Sequence, residues 1–170
     1  MTILWIVAGI VLLFGFVVFF GAPYVPSKRR ELERVFRELY ELGPQDLVAD
    51  LGSGDGIVLR MAAKTGAKAI GYELNPGLVL LSRFLSRGNK NVRIMAANMW
   101  QVRLLPETTV VYVFAVTRDI EKVSRKLQAE ANRLHHPLSV ISYGCAIPHK
   151  EALRSLGAHH LYTFAPLQSK

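Results

Sequence analysis

Asp50-Leu-Gly-Ser-Gly-Asp-Gly56 closes an apolar run over Leu47–Leu51 and opens a second one at Ile57. The first run predicts a buried strand, the glycines a turn, and the residues from Ile57 a helix. Glycines at 52, 54 and 56 let the backbone turn sharply and leave room for a ligand to lie against it. About twenty residues further on, a second strand, Ala69-Ile-Gly-Tyr-Glu73, ends in an acid. A carboxylate at the tip of a second strand can accept hydrogen bonds from both hydroxyls of a ribose. Loop and acid together predict a nucleoside site.

The spacing narrows the nucleoside. A dinucleotide fold usually reads G-x-G-x-x-G, with the third small residue packing helix against strand. Here the run is G-x-G-x-G, Ile57 takes the third-glycine place, and Asp50 stands before the first glycine. An acid there suits a cation such as the amino group of a methionine moiety, and suits a pyrophosphate poorly. Asp50–Gly56 resembles motif I of the class I S-adenosylmethionine-dependent methyltransferases, and Glu73 resembles their ribose-binding acid. The resemblance implies a Rossmann-like α/β sheet and S-adenosyl-L-methionine as cofactor. It also implies a binding set of Asp50, Gly52, Ser53, Gly54, Glu73, Leu74, Asn98 and Met99.

The totals fit one domain. The chain has 170 residues, 51% of them hydrophobic, a net charge of +8 and a single cysteine, Cys145. That length can enclose one core. The basic surplus favours anionic lipid, nucleic acid or an acidic protein surface. One cysteine excludes an internal disulfide and offers no zinc site.

Ile3–Ala22 carries no charge, and about twenty helical residues match the hydrocarbon core of a bilayer. Lys28, Arg29, Arg30, Arg34 and Arg37 follow the run, whereas only Met1 and Thr2 precede it. The positive-inside rule then predicts a single-pass membrane protein with its catalytic domain in the cytoplasm. The expected divisions are a transmembrane anchor over 1–22, a linker and amphipathic helix over 23–45, and a methyltransferase domain over 46–170. The linker Gly21-Ala-Pro-Tyr-Val-Pro-Ser27 is short and stiff, and Ser27 is a good N-cap for a helix running to about Leu42.

From Leu47 the pattern alternates strand and helix. Strands are expected at Leu47–Leu51, Lys68–Tyr72, Asn91–Met95, Thr109–Ala115 and Leu138–Ser142, and helices at Ile57–Thr65, Gly77–Arg87 and Arg118–Leu134. Repeated βα units imply a parallel sheet covered on both faces. The end reads as a helix at Lys150–Leu156 and one strand at His160–Phe164. A full class I sheet adds a helix and an antiparallel hairpin here, so the sheet is expected to be truncated at its C-terminal side.

Ligands of open α/β sheets bind beyond the carboxyl ends of the strands. Asn98 stands in the loop after the third strand, where methyltransferases place an acid or amide that bonds the adenine amino group, and Met99 can line the ring. For Trp100, stacking on a ligand and filling the core both stay open. Pro148-His149 follows the fifth strand, which brings His149 close to the crevice. The histidine spacings match no familiar metal motif, and no residue announces itself as a catalytic base. That is tolerable, because transfer from an activated sulfonium needs mainly alignment and a neutral nucleophile.

A closer resemblance rests on the order of features: the apolar run, Pro23-Tyr-Val-Pro-Ser27, a helix, Asp50–Gly56, Gly71-Tyr-Glu-Leu-Asn-Pro76 and Pro148-His149. Together they resemble the small membrane-anchored lysine methyltransferases of the ATP synthase c-subunit and adenine nucleotide translocase type. The resemblance implies a lysine of a membrane or membrane-proximal protein as acceptor, and a prolyl segment closing over the site with Tyr24 and Val25 near the methyl group. Trp100 and His149 complete the substrate candidates. The compact length suggests a prokaryotic relative at the inner membrane, with the bilayer itself as a partner. One departure is Asn98, where the family more often has Asp. A lipid, quinone or other small amphiphile is the alternative acceptor, and a non-catalytic tethered S-adenosylmethionine-binding module is the alternative of another class. Nucleic acid is disfavoured as a partner, since the N-P-P-Y/F-type tetrad is absent after the fourth strand, where Val113-Phe-Ala-Val-Thr117 stands.

Overall fold

The computed structural model describes residues 4–5, 28–114 and 116–167. These residues form one sheet of β1 (Leu47–Leu51), β2 (Lys68–Glu73), β3 (Val92–Ala96), β4 (Val110–Phe114), β5 (Leu138–Tyr143), β6 (Arg154–Leu156) and β7 (His159–Phe164). The spatial order is β3-β2-β1-β4-β5-β7-β6. The first five strands run parallel, and β7 lies antiparallel to both β5 and β6.

Four helical elements cover the sheet. They are α1 (Arg29–Arg34, continued by a π-helical turn at Val35–Leu39), α2 (Ile57–Lys64), α3 (Pro76–Leu85) and α4 (Ile120–Leu134). β1 and β4 are buried on both faces, which is why they read as continuous apolar runs rather than alternating ones. On one face Leu32, Val35, Phe36, Val58, Leu59 and Val79 from α1, α2 and α3 pack over Val48, Tyr112 and Ile141. On the other, Val123, Leu127 and Ala131 of α4 pack over Ala49, Leu51, Val111 and Val140. Strand order reverses between β1 and β4, and a crevice opens at their carboxyl ends.

Two expectations are corrected. The Rossmann-like sheet is present, but it is not truncated. Residues 154–156, read as helix, form β6, and with β7 they make the antiparallel hairpin expected to be missing. Arg154 and Ser155 are exposed, so β6 shows no apolar alternation. Its conformation comes from pairing Arg154, Ser155 and Leu156 with Leu161, His160 and His159 across a two-residue turn that starts at Gly157, φ 60°.

The membrane reading is corrected as well. Among the described residues no helix is long and apolar enough to cross a membrane. The longest is α4, with 15 residues and an amphipathic pattern, whereas a span needs about 20 apolar ones. The span expected over 3–22 lies outside the described residues, apart from Leu4 and Trp5. The transmembrane anchor, the single-pass topology with a cytoplasmic domain, the inner-membrane location and the bilayer as a partner are therefore withdrawn. The family resemblance stands without its membrane-anchored qualifier.

Candidate cofactor site

The loop after β1 is built to turn over β2. Gly52 has φ 86°, Gly54 φ 54° and Gly56 φ 78°, the left-handed region that side chains resist. The Gly52 and Ser53 amides donate to the Tyr72 carbonyl at 2.9 and 3.2 Å, and the Gly56 amide donates to the Ser53 carbonyl at 2.8 Å. Asp55 closes the turn: its carboxylate accepts from the Ile57 amide at 3.1 Å and from Arg60 at 3.0 Å. The close packing of the loop falls at Gly56, where a Cβ would collide with Ser82 Oγ of α3. Gly71 admits the loop in the same way. A Cβ on it would lie 2.5 Å from both Leu59 Cδ1 and Ser53 Oγ.

Glu73 is buried at the tip of β2 and joins two elements. Its Oε2 accepts from the Gly54 amide and its Oε1 from the Asn75 amide, each at 2.8 Å. Each oxygen keeps a further lone pair for a hydroxyl. Asn75 caps α3, its Oδ1 accepting from the amides of Gly77 and Leu78 at 2.9 and 3.3 Å.

Asp50, 3% exposed, receives no hydrogen bond to its carboxyl among the described residues. Burial, and then the charges of Glu73 and Asp55, push its proton affinity well above the usual carboxylate range. A cation beside it would reverse that shift, so the site is electrostatically suited to a positively charged group.

An open hollow of about 460 Å³ lies beside Glu73, lined by Leu74, Ala96, Ala97, Asn98, Gln101 and Val102. Asn98 Oδ1 accepts from the Trp100 amide at 3.0 Å, which folds the loop on itself where Asn98 lines the hollow. Met99 Sδ lies 3.9 Å from where a Cβ on Gly52 would stand. The far wall is tied down by α4: buried Glu130 accepts from the Leu104 amide at 3.1 Å and pairs with Arg133 at 2.6 Å. Lys126 donates to the Val102 carbonyl at 2.6 Å, and burial lowers its proton affinity against the opposing pull of Glu130. Nothing in the sequence pattern signalled this brace, which spans 24 to 29 positions.

Of the eight cofactor candidates, Leu74 and Asn98 line the hollow, Gly54 is bonded to Glu73 at the tip of β2, Ser53 packs against Gly71, Met99 approaches Gly52, and Asp50 lies buried at the end of β1. Tyr24 and Val25 lie outside the described residues. Trp100 packs on the α4 side, with Lys122 Nζ 4.0 Å over its ring. His149 is exposed in a left-handed turn, φ 58°, of the loop that replaces a helix between β5 and β6. His159 is buried in the sheet, where its Nε2 bonds the Tyr112 hydroxyl at 3.0 Å.

An S-adenosyl group fits this chain's own donor set: an unpaired buried acid, a glycine cradle, a two-oxygen acceptor and a hollow of mixed polarity in which Leu74, the alanines and Val102 stand beside the Asn98 and Gln101 amides. Comparison with known proteins agrees. Residues 50–154 match the ANTKMT methyltransferase domain. The chain is 37% identical over 111 residues to the ATP synthase c-subunit lysine N-methyltransferase of Xenopus laevis, covering 64% of this chain and 48% of that one. It is 34% identical over 131 residues to the rat enzyme of the same name, covering 75% and 57%. It therefore spans about half the length of these relatives. A protein-lysine N-methyltransferase of Saccharolobus islandicus is 33% identical over 115 residues, covering 64% of this chain and 69% of that one. Among solved structures, an RNA methyltransferase of Salinibacter ruber in complex with S-adenosyl-L-homocysteine superposes with a TM-score of 0.73 at 24% identity, over 86% of this chain and 97% of that one, a likeness of fold. By sequence match, sheet order and site geometry together, the chain belongs to the ANTKMT methyltransferase domain family of S-adenosylmethionine-dependent enzymes.

Proposed function

We propose that this protein is an S-adenosylmethionine-dependent protein-lysine N-methyltransferase. The observation that carries the reading is the match to relatives named for lysine methylation, joined to a buried, unpaired Asp50 beside a glycine cradle. Asp50 would hold the methionine ammonium, Glu73 the ribose hydroxyls, and Leu74, Asn98 and Met99 the adenine. When bound, the cofactor supplies a sulfonium methyl to a neutral amine nitrogen, which is left positive until it sheds a proton. The chain's part is alignment: Gly52 lets the ligand lie against the backbone, and the Gly54–Glu73 bond holds loop and ribose site in register.

The test is to incubate the purified protein with methyl-labelled S-adenosylmethionine and an extract of its own source lacking the enzyme, then separate protein, lipid and RNA. Label on protein lysines, located by mass spectrometry, is the expected result, and the c-subunit of ATP synthase is the first band to inspect. Label confined to lipid or RNA overturns the lysine reading while leaving the cofactor site intact.

A further inference from the structure

We infer that Phe114 and Tyr143 form the acceptor subsite, an aromatic cradle that holds the methylene stem and nitrogen of a lysine, the nitrogen neutral at the moment of transfer and positive before and after it; the inference rests on the lysine reading above. The sheet register carries it. Gly71, Asp50, Tyr112 and Ile141 stand opposite one another across β2, β1, β4 and β5 and point to the face covered by α1 and α2. Two residues further along the strands, the same face presents Ala96 and Glu73, then Gly52 just past the last β1–β4 pair, then Phe114, Tyr143 and His159. The first half of that row is the cofactor site. The second half begins where the first stops and continues toward β7.

The lower row is closed, with Tyr112 and Ile141 fully buried, whereas Phe114 and Tyr143 are half-buried at the mouth of the crevice. Their ring centroids lie 5.6 Å apart at 46°. Tyr143 stacks on His159 at 4.5 Å and 23°, and the Tyr112 hydroxyl fixes His159 from below. The cradle is therefore held before any ligand arrives. The strand-end positions Phe114, Tyr143 and His159 carry no carboxylate, so an amine head there meets π faces, and the Glu31 carboxylate of the covering α1 acts on His159 from outside the sheet. Phe and Tyr faces attract a cation, apolar ring surface accepts the methylene stem, and a methylated nitrogen keeps its charge while gaining apolar contact.

The test measures label on protein in the same extract, and S-adenosylhomocysteine affinity by calorimetry, for wild type, Phe114→Leu and Tyr143→Leu. The expected result is a loss of about tenfold or more in transfer at limiting extract for each leucine variant, with S-adenosylhomocysteine affinity within about twofold of wild type. Tyr143→Phe, which keeps the ring, is expected to lose less than Tyr143→Leu. Wild-type rates in both leucine variants overturn the subsite and leave the lysine reading standing. Absence of protein label with the wild type overturns the lysine reading and the subsite with it. If a leucine variant fails to bind S-adenosylhomocysteine, competition on the wild type decides. N-butyltrimethylammonium is expected to compete with the extract at concentrations at which butanol does nothing, and equal effects of the two overturn the subsite.

Discussion

The Gly54 amide donates to Glu73 Oε2 at 2.8 Å, across 19 positions of chain, and so locks the glycine loop after β1 to the tip of β2. This carboxylate orders the loop, and in the proposed function it would also present acceptors to a ribose. Glu73→Ala removes both, and S-adenosylhomocysteine affinity should fall by roughly 1–3 kcal/mol, read by calorimetry. An unchanged affinity would remove Glu73 from the site.

Asp50 gives the cofactor site a cost in stability. Burial makes its carboxyl hold a proton more tightly in the folded chain than in the unfolded one. Between those two proton affinities the folded state binds the extra proton, so the stability of the ligand-free protein falls as pH rises through that window. Asp50→Asn should raise the melting temperature of the ligand-free protein at pH 8 by a few degrees and flatten its dependence on pH. The same change should weaken S-adenosylmethionine binding tenfold or more if, as proposed, Asp50 faces the methionine ammonium. Thermal melts across pH and calorimetry, run on both proteins, check the two halves separately.

Gly71 is a position where only hydrogen fits. A methyl there meets Leu59 Cδ1 and Ser53 Oγ at 2.5 Å and Ser53 Cβ at 2.7 Å. Gly71→Ala should destabilise the fold by about 1–3 kcal/mol in urea unfolding. Because Ser53 belongs to the loop, cofactor affinity should drop as well. A stable variant with full affinity would mean that loop and helix yield without cost.

Glu130 braces the hollow from the far side of the sheet. Glu130→Ala leaves the Leu104 amide without its acceptor, and Arg133 and Lys126 without their shared carboxylate. A loss of roughly 1–3 kcal/mol in stability is expected. S-adenosylhomocysteine should bind more weakly, because Val102 lines the hollow and is held by Lys126. Calorimetry with adenosine alone tests whether the weakening sits on the adenine side.

The residues from Asp50 to Gly56 and from Ala69 to Glu73 determined the parallel sheet and the cofactor on their own. Apolar runs bounded by glycine, and helical spacing such as that of Val123, Leu127 and Ala131, are local properties, and burial on both faces of β1 and β4 writes them directly into the chain.

Tertiary structure alone decided the rest, wherever the cause lies far away in the chain. Residues 150–156 have apolar residues at Ala152, Leu153 and Leu156, a spacing that reads as helix, yet three of them become a strand because β7 offers a partner edge. The brace of Glu130, Arg133 and Lys126 on residues 102–104, and the bond from Tyr112 to His159 across 47 positions, leave no local pattern. Phe114 and Tyr143 read as ordinary strand residues until register sets them side by side, one step beyond the last β1–β4 pair and so near the glycine that follows β1. Periodicity specifies which residues are buried, but the crevice is made by strand order, and strand order is a property of the assembled sheet.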